Sequence, residues 1–257
     1  DITNVSKEAS DYPFIILYTS GTTTTPKAVE IDDNALMNLF MAYNDADNRT
    51  EHSVVLCCMP LYHVMGLMMS ALSGLYIGAN VVCMSVSEFY TDTLSWYINV
   101  AHYKVSHTCI SNYMVSMLTS SIESLSENYD TKILSLSSMK SMVLAGERVN
   151  PITIDAFIKV AKPYGFDDKA LNISYGLTES ASTFTHTDAD KILNRVNTLD
   201  AGEVFSVGKI FSGYKMIIID ENEDIINDKL MLGEFCINGP SIIDCYCNID
   251  NDNDMDK

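Results

Sequence analysis

Short apolar runs alternate with longer segments whose apolar residues recur at helical spacing along most of this chain. The short runs predict strands at residues 14–18, 28–31, 54–59, 81–84, 105–110, 142–145 and 173–175. The helical spacing predicts one helix capped by Asp32 or Asp33 and others over 65–75, 96–100, 114–122 and 151–161. Because short strands that alternate with helices form mostly parallel sheets, we expect an α/β fold with a sheet covered by helices.

The pattern changes after about residue 200. Residues 215–220 and 233–238 read as strands joined by an acidic, turn-rich segment, with no helix predicted between them. This indicates a small antiparallel or barrel-like piece. The predicted division is therefore an α/β core over residues 1–200, a small β subdomain over 201–247 and an acidic, solvated tail over 248–257.

One long apolar stretch raises the question of a membrane span. Residues 53–87 contain no Asp, Glu, Lys or Arg, and about 20 apolar residues suffice to cross a bilayer. However, Pro60, Gly66 and Gly74 interrupt the stretch, and its period changes from strand to helix and back to strand. We therefore predict a buried strand–helix–strand unit and no membrane span.

Composition and charge exclude several classes of function. The net charge is −18 and the pI about 4.4, and so acidic a surface disfavours binding to nucleic acid or anionic lipid. The seven cysteines show no C-x-x-C spacing, so we expect buried free thiols in a reducing cytoplasm rather than a zinc site or disulfides. The chain begins at Asp1 without a basic and apolar leader, so we expect no signal peptide and a piece of a longer protein.

A hydroxyl-rich loop follows the first predicted strand and ends in a cation. It consists of Thr19, Ser20, Gly21, Thr22, Thr23, Thr24, Thr25, Pro26 and Lys27. Backbone N–H groups and hydroxyls around one glycine can surround the oxygens of a polyphosphate. Composition alone favours a plain Thr-rich turn over a phosphate-binding loop, and the loop lacks the second glycine of the G-x-x-x-x-G-K-[ST] phosphate loop.

The order of residues in this loop resembles the phosphate-loop signature of the adenylate-forming superfamily, which comprises acyl-CoA synthetases, fatty acyl-AMP ligases, luciferases and peptide-synthetase adenylation domains. Four further segments resemble motifs of that superfamily in the same order: residues 60–66, 145–147, 175–179 and 233–240. Together the matches extend from about residue 14 to 246. Such a collinear series is far more specific than any one of its members.

The resemblance implies an enzyme that uses ATP and Mg²⁺ to activate a carboxylic acid. Thr178 is implied to contact the α-phosphate and Glu179 to bind Mg²⁺, although a lone glutamate after a turn is more often a solvated cap. The residues implied to hold the β- and γ-phosphates are Thr19, Ser20, Gly21, Thr22, Thr23 and Lys27. Those implied to surround adenine are Gly146, Glu147, Tyr175 and Gly176.

His63 has two interpretations. A lone histidine in an apolar run is more often a core residue than a catalytic one, whereas its place in the matched segment implies contact with the carboxylate of the acid substrate. The methionines that follow, Met65, Met68 and Met69, are expected in the core because helical apolar spacing is mainly a packing signal.

The resemblance also bears on which acid is activated. Peptide-synthetase adenylation domains carry an aspartate that pairs with the substrate's amino group, but here no acidic residue follows Pro60 before Glu88. A buried ammonium without a counter-charge is unfavourable, so amino acids are disfavoured. Residues 145–177 are most similar to fatty acyl-AMP ligases, which pass acyl groups to carrier proteins. The segment 180–205 is short for the insertion of that subgroup, so coenzyme A also stays open as the acceptor.

Departures from the family pattern leave a rival hypothesis. Thr24 and Ala28 stand where the family has glycine, which reduces loop freedom. The family's ribose-binding aspartate and its small C-terminal domain with the catalytic lysine are absent from this sequence, so we expect little turnover by the chain alone. The alternatives are a degenerate domain that binds an acyl-adenylate or a partner without catalysis, and an unrelated α/β phosphate-binding enzyme with accidental matches.

Overall fold

The computed structural model describes residues 13–19, 25–125, 131–187, 189–196, 205–226, 231–243 and 246–247. The middle of the predicted phosphate loop, Ser20, Gly21, Thr22, Thr23 and Thr24, lies outside these residues, as does the predicted acidic tail. Those predictions therefore stay predictions, together with the proposed division into domains.

The described residues form short strands separated by helices. The strands are β1 Ile15–Tyr18, β2 Ala28–Ile31, β3 Val54–Cys57, β4 Asn80–Cys83, β5 His107–Ile110, β6 Ser141–Leu144, β7 Leu171–Ile173, β8 Thr185–His186, β9 Lys209–Ile210, β10 Lys215–Ile219 and β11 Glu234–Asn238. The α-helices are α1 Asp33–Ala46, α2 Ser73–Tyr76, α3 Val86–Thr91, α4 Leu94–Tyr103, α5 Asn112–Glu123, α6 Pro151–Ala161 and α7 Ala189–Val196. A π-helix, Met65–Leu72, precedes α2, and short 3₁₀ turns cover Thr131–Leu134, Lys162–Tyr164, Asp168–Ala170 and Thr178–Ser180.

A parallel sheet of five strands in the order β4-β3-β5-β6-β7 forms the centre of the fold. Alternate side chains of its strands enter different cores because successive Cβ atoms of a strand point to opposite faces. Met142 and Leu144 of β6 join one buried cluster with Trp96, whereas Val143 joins a second with Leu39. The predicted α/β fold with helices over a mostly parallel sheet is confirmed.

Side-chain caps explain where several helices begin. The Oδ1 of Asp32 accepts a hydrogen bond from the Ala35 N–H at 2.6 Å, which resolves the choice between Asp32 and Asp33. Helix α6 has Asn150 as its cap and Pro151 in its first turn, and it covers the predicted residues. The sequence analysis missed α3, α7, β8 and β9, which are all short.

The helix predicted at 65–75 forms where expected but begins as a π-helix. Gly66 accounts for its tight entry, since a Cβ there would lie 2.3 Å from the carbonyl oxygen of Pro60. Met65, Met68 and Met69 are buried in the second cluster, as predicted. π-Helical turns inside helices frequently occur at functional sites.

The smaller β pieces are antiparallel. Strands β10 and β11 pair from Lys215 with Asn238 to Ile219 with Glu234, which confirms the antiparallel part of the prediction; no closed barrel occurs among the described residues. Strands β1 and β2 form a separate hairpin in which Tyr18 pairs with Ala28. The predicted strand at 173–175 is misplaced, because β7 ends at Ile173.

A buried ion pair fixes the end of α1 against the sheet. Arg49 donates to the Asp47 carboxylate at 2.6 Å, to the Met69 carbonyl at 2.6 Å and to the Tyr43 hydroxyl at 3.0 Å. Ser141, the first residue of β6, also donates to Asp47. Nothing in the apolar pattern indicated this network, because the charged residues lie in a turn.

Two findings concern the apolar stretch and the cysteines. No helix in the described part of the chain is long and apolar enough to cross a membrane. Cys57, Cys58 and Cys109 are buried free thiols as expected, but Cys83 and Cys236 are exposed, so the expectation of burial is wrong for those two. Exposure of Cys83 follows from its place at the end of β4, the edge strand of the sheet.

Candidate functional site

The stem of the predicted phosphate loop is closed by its first and last residues. The Thr19 N–H donates to the Lys27 carbonyl at 2.9 Å, and the Lys27 N–H donates to the Thr19 Oγ1 at 3.0 Å. These bonds extend the β1–β2 hairpin by one pair beyond Tyr18 and Ala28. The stem therefore holds both ends of the loop, with the Lys27 side chain half-buried beside it.

A second turn carries the predicted metal-binding glutamate. Glu179 lies in the 3₁₀ turn Thr178–Ser180, which is held by a hydrogen bond from the Leu177 N–H to the Ser180 Oγ at 3.0 Å. The turn comes after β7, at the edge of the sheet where parallel strands end. Gly176 is required here, because a Cβ would lie 1.7 Å from the carbonyl oxygen of Ser182.

A crossing segment, residues 241–243 and 246–247, contacts this turn along its length. The Ser241 Oγ donates to the Ser180 carbonyl at 2.8 Å, and the Ile243 N–H donates to the Glu179 carbonyl at 2.9 Å. The Tyr246 hydroxyl then donates to the Glu179 Oε1 at 2.6 Å. The turn is thus held through its backbone and through its carboxylate.

The crossing segment also reaches the stem of the phosphate loop. The Cys247 N–H donates to the Ala28 carbonyl at 2.8 Å, and Tyr246 pairs with Val29 in an antiparallel bridge. The Lys27 Nζ lies 4.7 Å from the centre of the Tyr246 ring. Lys27 and Glu179 therefore contact the same tyrosine, so the two turns that the sequence places far apart meet in the fold.

A cavity of about 420 Å³ opens beside this junction. It is lined by Gly146, Glu147, Arg148, Val149, Ile173, Ser174, Tyr175, Gly176, Phe205 and Val207. The four residues predicted to surround adenine are all among them. The volume is within the range of small-molecule sites, roughly 300–1,000 Å³, and apolar walls with a few polar groups suit a purine base.

Gly146 and Glu147 form the turn after β6. Gly146 has φ +82°, in the left-handed region, and a Cβ there would approach the Sδ of Met65 to 3.1 Å. The Glu147 Oε1 accepts the Tyr113 N–H at 2.7 Å, near the amino end of α5. One carboxylate oxygen of Glu147 therefore has a structural partner, which argues that this side chain shapes the wall of the cavity.

Tyr175 connects the cavity to the Glu179 turn. Its ring makes edge contacts with Phe184 and Phe235, with centroid distances of 5.6 and 5.7 Å. Burial raises the pKa of the Tyr175 phenol, and the negative charge of Glu179 raises it further. The predicted adenine residue therefore lies within the electrostatic influence of the predicted metal ligand, four residues further along the chain.

His63 lies outside the lining of this cavity. It is half-buried in the turn after β3, and its Nδ1 accepts the Met65 N–H at 3.2 Å. Burial lowers the pKa of His63, so the imidazole is neutral at pH 7. With Nδ1 accepting, the proton resides on Nε2, which makes Nε2 a donor.

The donor set limits how Mg²⁺ could bind. No group of three or more His, Cys, Asp or Glu side chains that could hold a metal occurs among the described residues. Mg²⁺ commonly binds through one or two carboxylates and completes its octahedron with phosphate oxygens and water. Glu179 fits that pattern, so the metal would bind here together with a nucleotide.

Tyr246, which contacts both predicted site residues, was not among the residues that the sequence analysis singled out. The last motif quoted for the resemblance is residues 233–240, and a lone tyrosine in a segment rich in Cys, Asn and Asp carries no periodic signal. Among the predicted phosphate-loop residues, Lys27 lies against the Tyr246 ring and Thr19 is hydrogen-bonded to Lys27, whereas Ser20, Gly21, Thr22 and Thr23 lie outside the described residues.

Known proteins resemble this chain over most of its length. The family model described as AMP-binding enzyme matches residues 2–247. The probable long-chain-fatty-acid–AMP ligase FadD30 of Mycobacterium tuberculosis is 26% identical over 282 residues, which cover 100% of this chain and 47% of that protein. The medium-chain-fatty-acid–[acyl-carrier-protein] ligase JamA of Moorena producens is 27% identical, with 93% of this chain and 43% of that protein covered. The chain spans about half the length of these curated relatives.

Solved structures share the fold. A fatty acyl-adenylate ligase from L. pneumophila, in complex with acyl adenylate and pyrophosphate, matches with a TM-score of 0.79 at 24% identity over 91% of this chain and 43% of that one. An adenylation domain of a keto acid-selecting NRPS module, bound to keto acyl adenylate, matches with a TM-score of 0.79 at 22% identity over 92% of this chain and 47% of that one. At these identities the likeness supports the fold.

Proposed function

The chain belongs to the AMP-binding enzyme family, and on that premise we propose that it serves as part of an ATP-dependent acid ligase. The reaction joins a carboxylic acid to the AMP portion of ATP and releases pyrophosphate. The observation that carries the proposal is the junction at Tyr246, which brings Lys27 and Glu179 together beside the cavity lined by Tyr175.

The chemistry needs such a junction because the reactants repel each other. A carboxylate that attacks the α-phosphorus of ATP must approach a polyanion, so catalysis depends on charge neutralisation and alignment. Lys27 and the loop hydroxyls of Thr19, Ser20, Thr22 and Thr23 would hold the β- and γ-phosphates. Gly21 would let the loop backbone approach them, because glycine carries no side chain.

The other roles follow from position. Thr178, the residue before Glu179, would contact the α-phosphate, and Tyr175 and Gly176 would line the adenine with Gly146 and Glu147. Glu179 would hold Mg²⁺ against the phosphates, and the metal when bound supplies positive charge that stabilises the departing pyrophosphate. The chain's own contribution is to hold Lys27 and Glu179 at the same tyrosine.

We propose a fatty acid as the substrate. FadD30 and JamA are both named for fatty-acid substrates, and the segment from 60 to 87 offers no carboxylate to pair with an amino group. The neutral His63 can donate from Nε2 to a substrate carboxylate, since its Nδ1 accepts the Met65 N–H. An uncharged donor favours a carboxylate without burying a fixed charge.

The acceptor is proposed to be a carrier-protein thiol, with coenzyme A as the other candidate. JamA is named for an acyl carrier protein, which supports the first. An ATP-dependent reaction and free thiols among the described cysteines are consistent with a cytoplasmic protein.

The rival function, a degenerate binding domain, is less well supported at Ala28. This residue lies in regular antiparallel pairing with Tyr18 and is absent from the described non-glycine residues with positive φ. An alanine therefore adopts this backbone without strain, and its replacement of the family's glycine does not by itself impair the loop.

The test uses stable analogues so that it does not depend on turnover. Calorimetry with dodecanoyl-sulfamoyl-adenosine, an acyl-adenylate analogue, should show binding to the chain, and leucyl-sulfamoyl-adenosine should bind at least about tenfold more weakly because its ammonium lacks a counter-charge. Tighter binding of the aminoacyl analogue would contradict the proposed substrate class. Absence of Mg²⁺-dependent ATP binding would instead support the degenerate domain.

A further inference from the structure

The phenol of Tyr246 and its ring contact different partners. The hydroxyl donates to the Glu179 Oε1 at 2.6 Å, and the ring lies against the Lys27 Nζ at 4.7 Å. A hydrogen bond to a charged carboxylate is short and strong, and a cation over an aromatic face is attracted to it. One side chain thus contacts a carboxylate and a cation that come from distant turns.

The backbone of Tyr246 is fixed independently of its side chain. It pairs with Val29, a fully buried residue of β2, and the neighbouring Cys247 N–H donates to Ala28. On the other side of the segment, Ile243 and Ser241 are hydrogen-bonded to the Glu179 turn. The backbone at Tyr246 is therefore tied to β2, and the first part of the crossing segment is tied to the Glu179 turn.

The arrangement restricts the rotamers of Glu179 in particular. A half-buried glutamate has several rotatable bonds, and fixing it on metal binding reduces affinity by the lost rotamer freedom. The bond to Tyr246 occupies Oε1, so Oε2 remains as the oxygen for a metal, in an orientation set before the metal arrives. This suits a site in which only one carboxylate holds Mg²⁺ together with phosphate.

We propose that Tyr246 is a positioning residue that pre-orients Glu179 for Mg²⁺ through its hydroxyl and Lys27 for phosphate through its ring. The inference rests on the proposed function, since it assumes that Mg·ATP binds at this junction. It adds a residue of the crossing segment to the site and assigns its two parts separate effects.

Two substitutions separate the effects. Tyr246→Phe removes the hydroxyl and keeps the ring, and Tyr246→Leu removes both. Tyr97→Phe is the control, because it removes another hydroxyl hydrogen bond, to the Leu118 carbonyl at 3.0 Å, within the helical layer. Each variant of the whole chain is titrated with ATP by calorimetry at a series of Mg²⁺ concentrations and with EDTA, and its thermal midpoint is recorded.

For Tyr246→Phe we expect the half-saturating Mg²⁺ concentration to rise about tenfold to a hundredfold, the effect of losing one hydrogen bond to a charged group. Tyr246→Leu should in addition weaken ATP binding in EDTA, since Lys27 loses its ring. Tyr97→Phe should lower the thermal midpoint without changing the Mg²⁺ dependence of ATP binding. A change in that dependence in Tyr246→Phe could then not be explained by a general loss of stability.

The outcomes distinguish the two proposals. If the unsubstituted chain binds ATP with a Mg²⁺ dependence that Tyr246→Phe leaves unchanged or strengthens, the positioning role is overturned and the proposed function stands. If the unsubstituted chain shows no Mg²⁺-dependent ATP binding, the proposed function fails and the inference fails with it.

Discussion

Gly176 offers a sharp test of how the site is built, because its environment leaves no room for a side chain. A Cβ at this position would lie 1.7 Å from the Ser182 carbonyl oxygen and 2.3 Å from the Thr183 Cα. The first distance is half of the 3.4 Å at which ordinary contact begins. Both obstacles are backbone atoms, so no side-chain rotation can relieve the overlap.

Gly176→Ala must therefore displace the backbone of the turn that carries Tyr175 and Glu179. Overpacking of a well-packed region destabilises by about 1–3 kcal/mol, and the severity of this overlap argues for the upper part of that range. The displacement also moves both predicted nucleotide contacts, and we expect the affinity for Mg·ATP to fall about a hundredfold, because a small misplacement of this kind is costly.

Urea unfolding followed by circular dichroism gives the stability change, and calorimetry gives the affinity. Gly78→Ala is the matched control: Gly78 has φ +77°, but its Cβ would meet only the Glu51 Cβ at 3.8 Å. It should lose roughly 1 kcal/mol from backbone strain and keep its affinity for ATP. If Gly176→Ala is as stable as the parent chain and binds Mg·ATP equally well, the described packing of this turn is wrong.

Two further predictions concern the interior. Burial lowers the pKa of His107 to about 4 from 6.5. Below pH 6.5 the unfolded chain therefore binds a proton at this residue that the folded chain does not bind. The free energy of unfolding is unaffected by this residue above pH 6.5, and it falls by about 3 kcal/mol between pH 6.5 and pH 4. His107→Asn should remove that part of the pH dependence of the free energy of unfolding, measured in urea from pH 7 to 4. If the parent chain and the variant lose the same free energy of unfolding over this range, the assignment is contradicted. Arg49→Met should destabilise the chain by about 3–5 kcal/mol, since it leaves the fully buried Asp47 without its partner, whereas a loss below about 1 kcal/mol in thermal unfolding would argue that the pair is not buried.

Much of the fold could be predicted because local and tertiary signals agree. Helix α6 was predicted to its boundaries, since Asn150 caps it and Pro151 fixes its first turn. The apolar runs of β5 and β6 are fully buried, which is the pattern expected for central parallel strands. The antiparallel pair β10 and β11 followed from two apolar runs around an acidic turn.

The structural features that the sequence analysis did not predict have physical reasons of their own. The π-helical start of the helix at 65 depends on how closely Gly66 approaches Pro60, a tertiary contact with no periodic signature. Helix α7 and strands β8 and β9 are too short for a period to be recognised. The Arg49 network joins residues from three separate elements, so its members could not be matched from spacing.

The candidate site also contains residues that the sequence predicts and one that it does not. The motif order brought Tyr175, Gly176, Gly146 and Glu147 to one cavity, because turns after neighbouring parallel strands lie at the same edge of the sheet. Tyr246 could not be found, since its role arises only when the crossing segment returns to β2. Its contact with Glu179 comes from the fold and has no counterpart in local sequence.

The most direct test of the central claim, that Lys27 and Glu179 belong to one nucleotide site, is calorimetric titration of Mg·ATP into the chain and into Lys27→Ala and Glu179→Gln. Lys215→Ala, at an exposed position of β10, controls for the loss of a positive charge. We predict one binding site whose affinity falls about tenfold or more in each of the two site variants and stays the same in the control. Absence of binding, or binding that neither substitution weakens, would contradict the account.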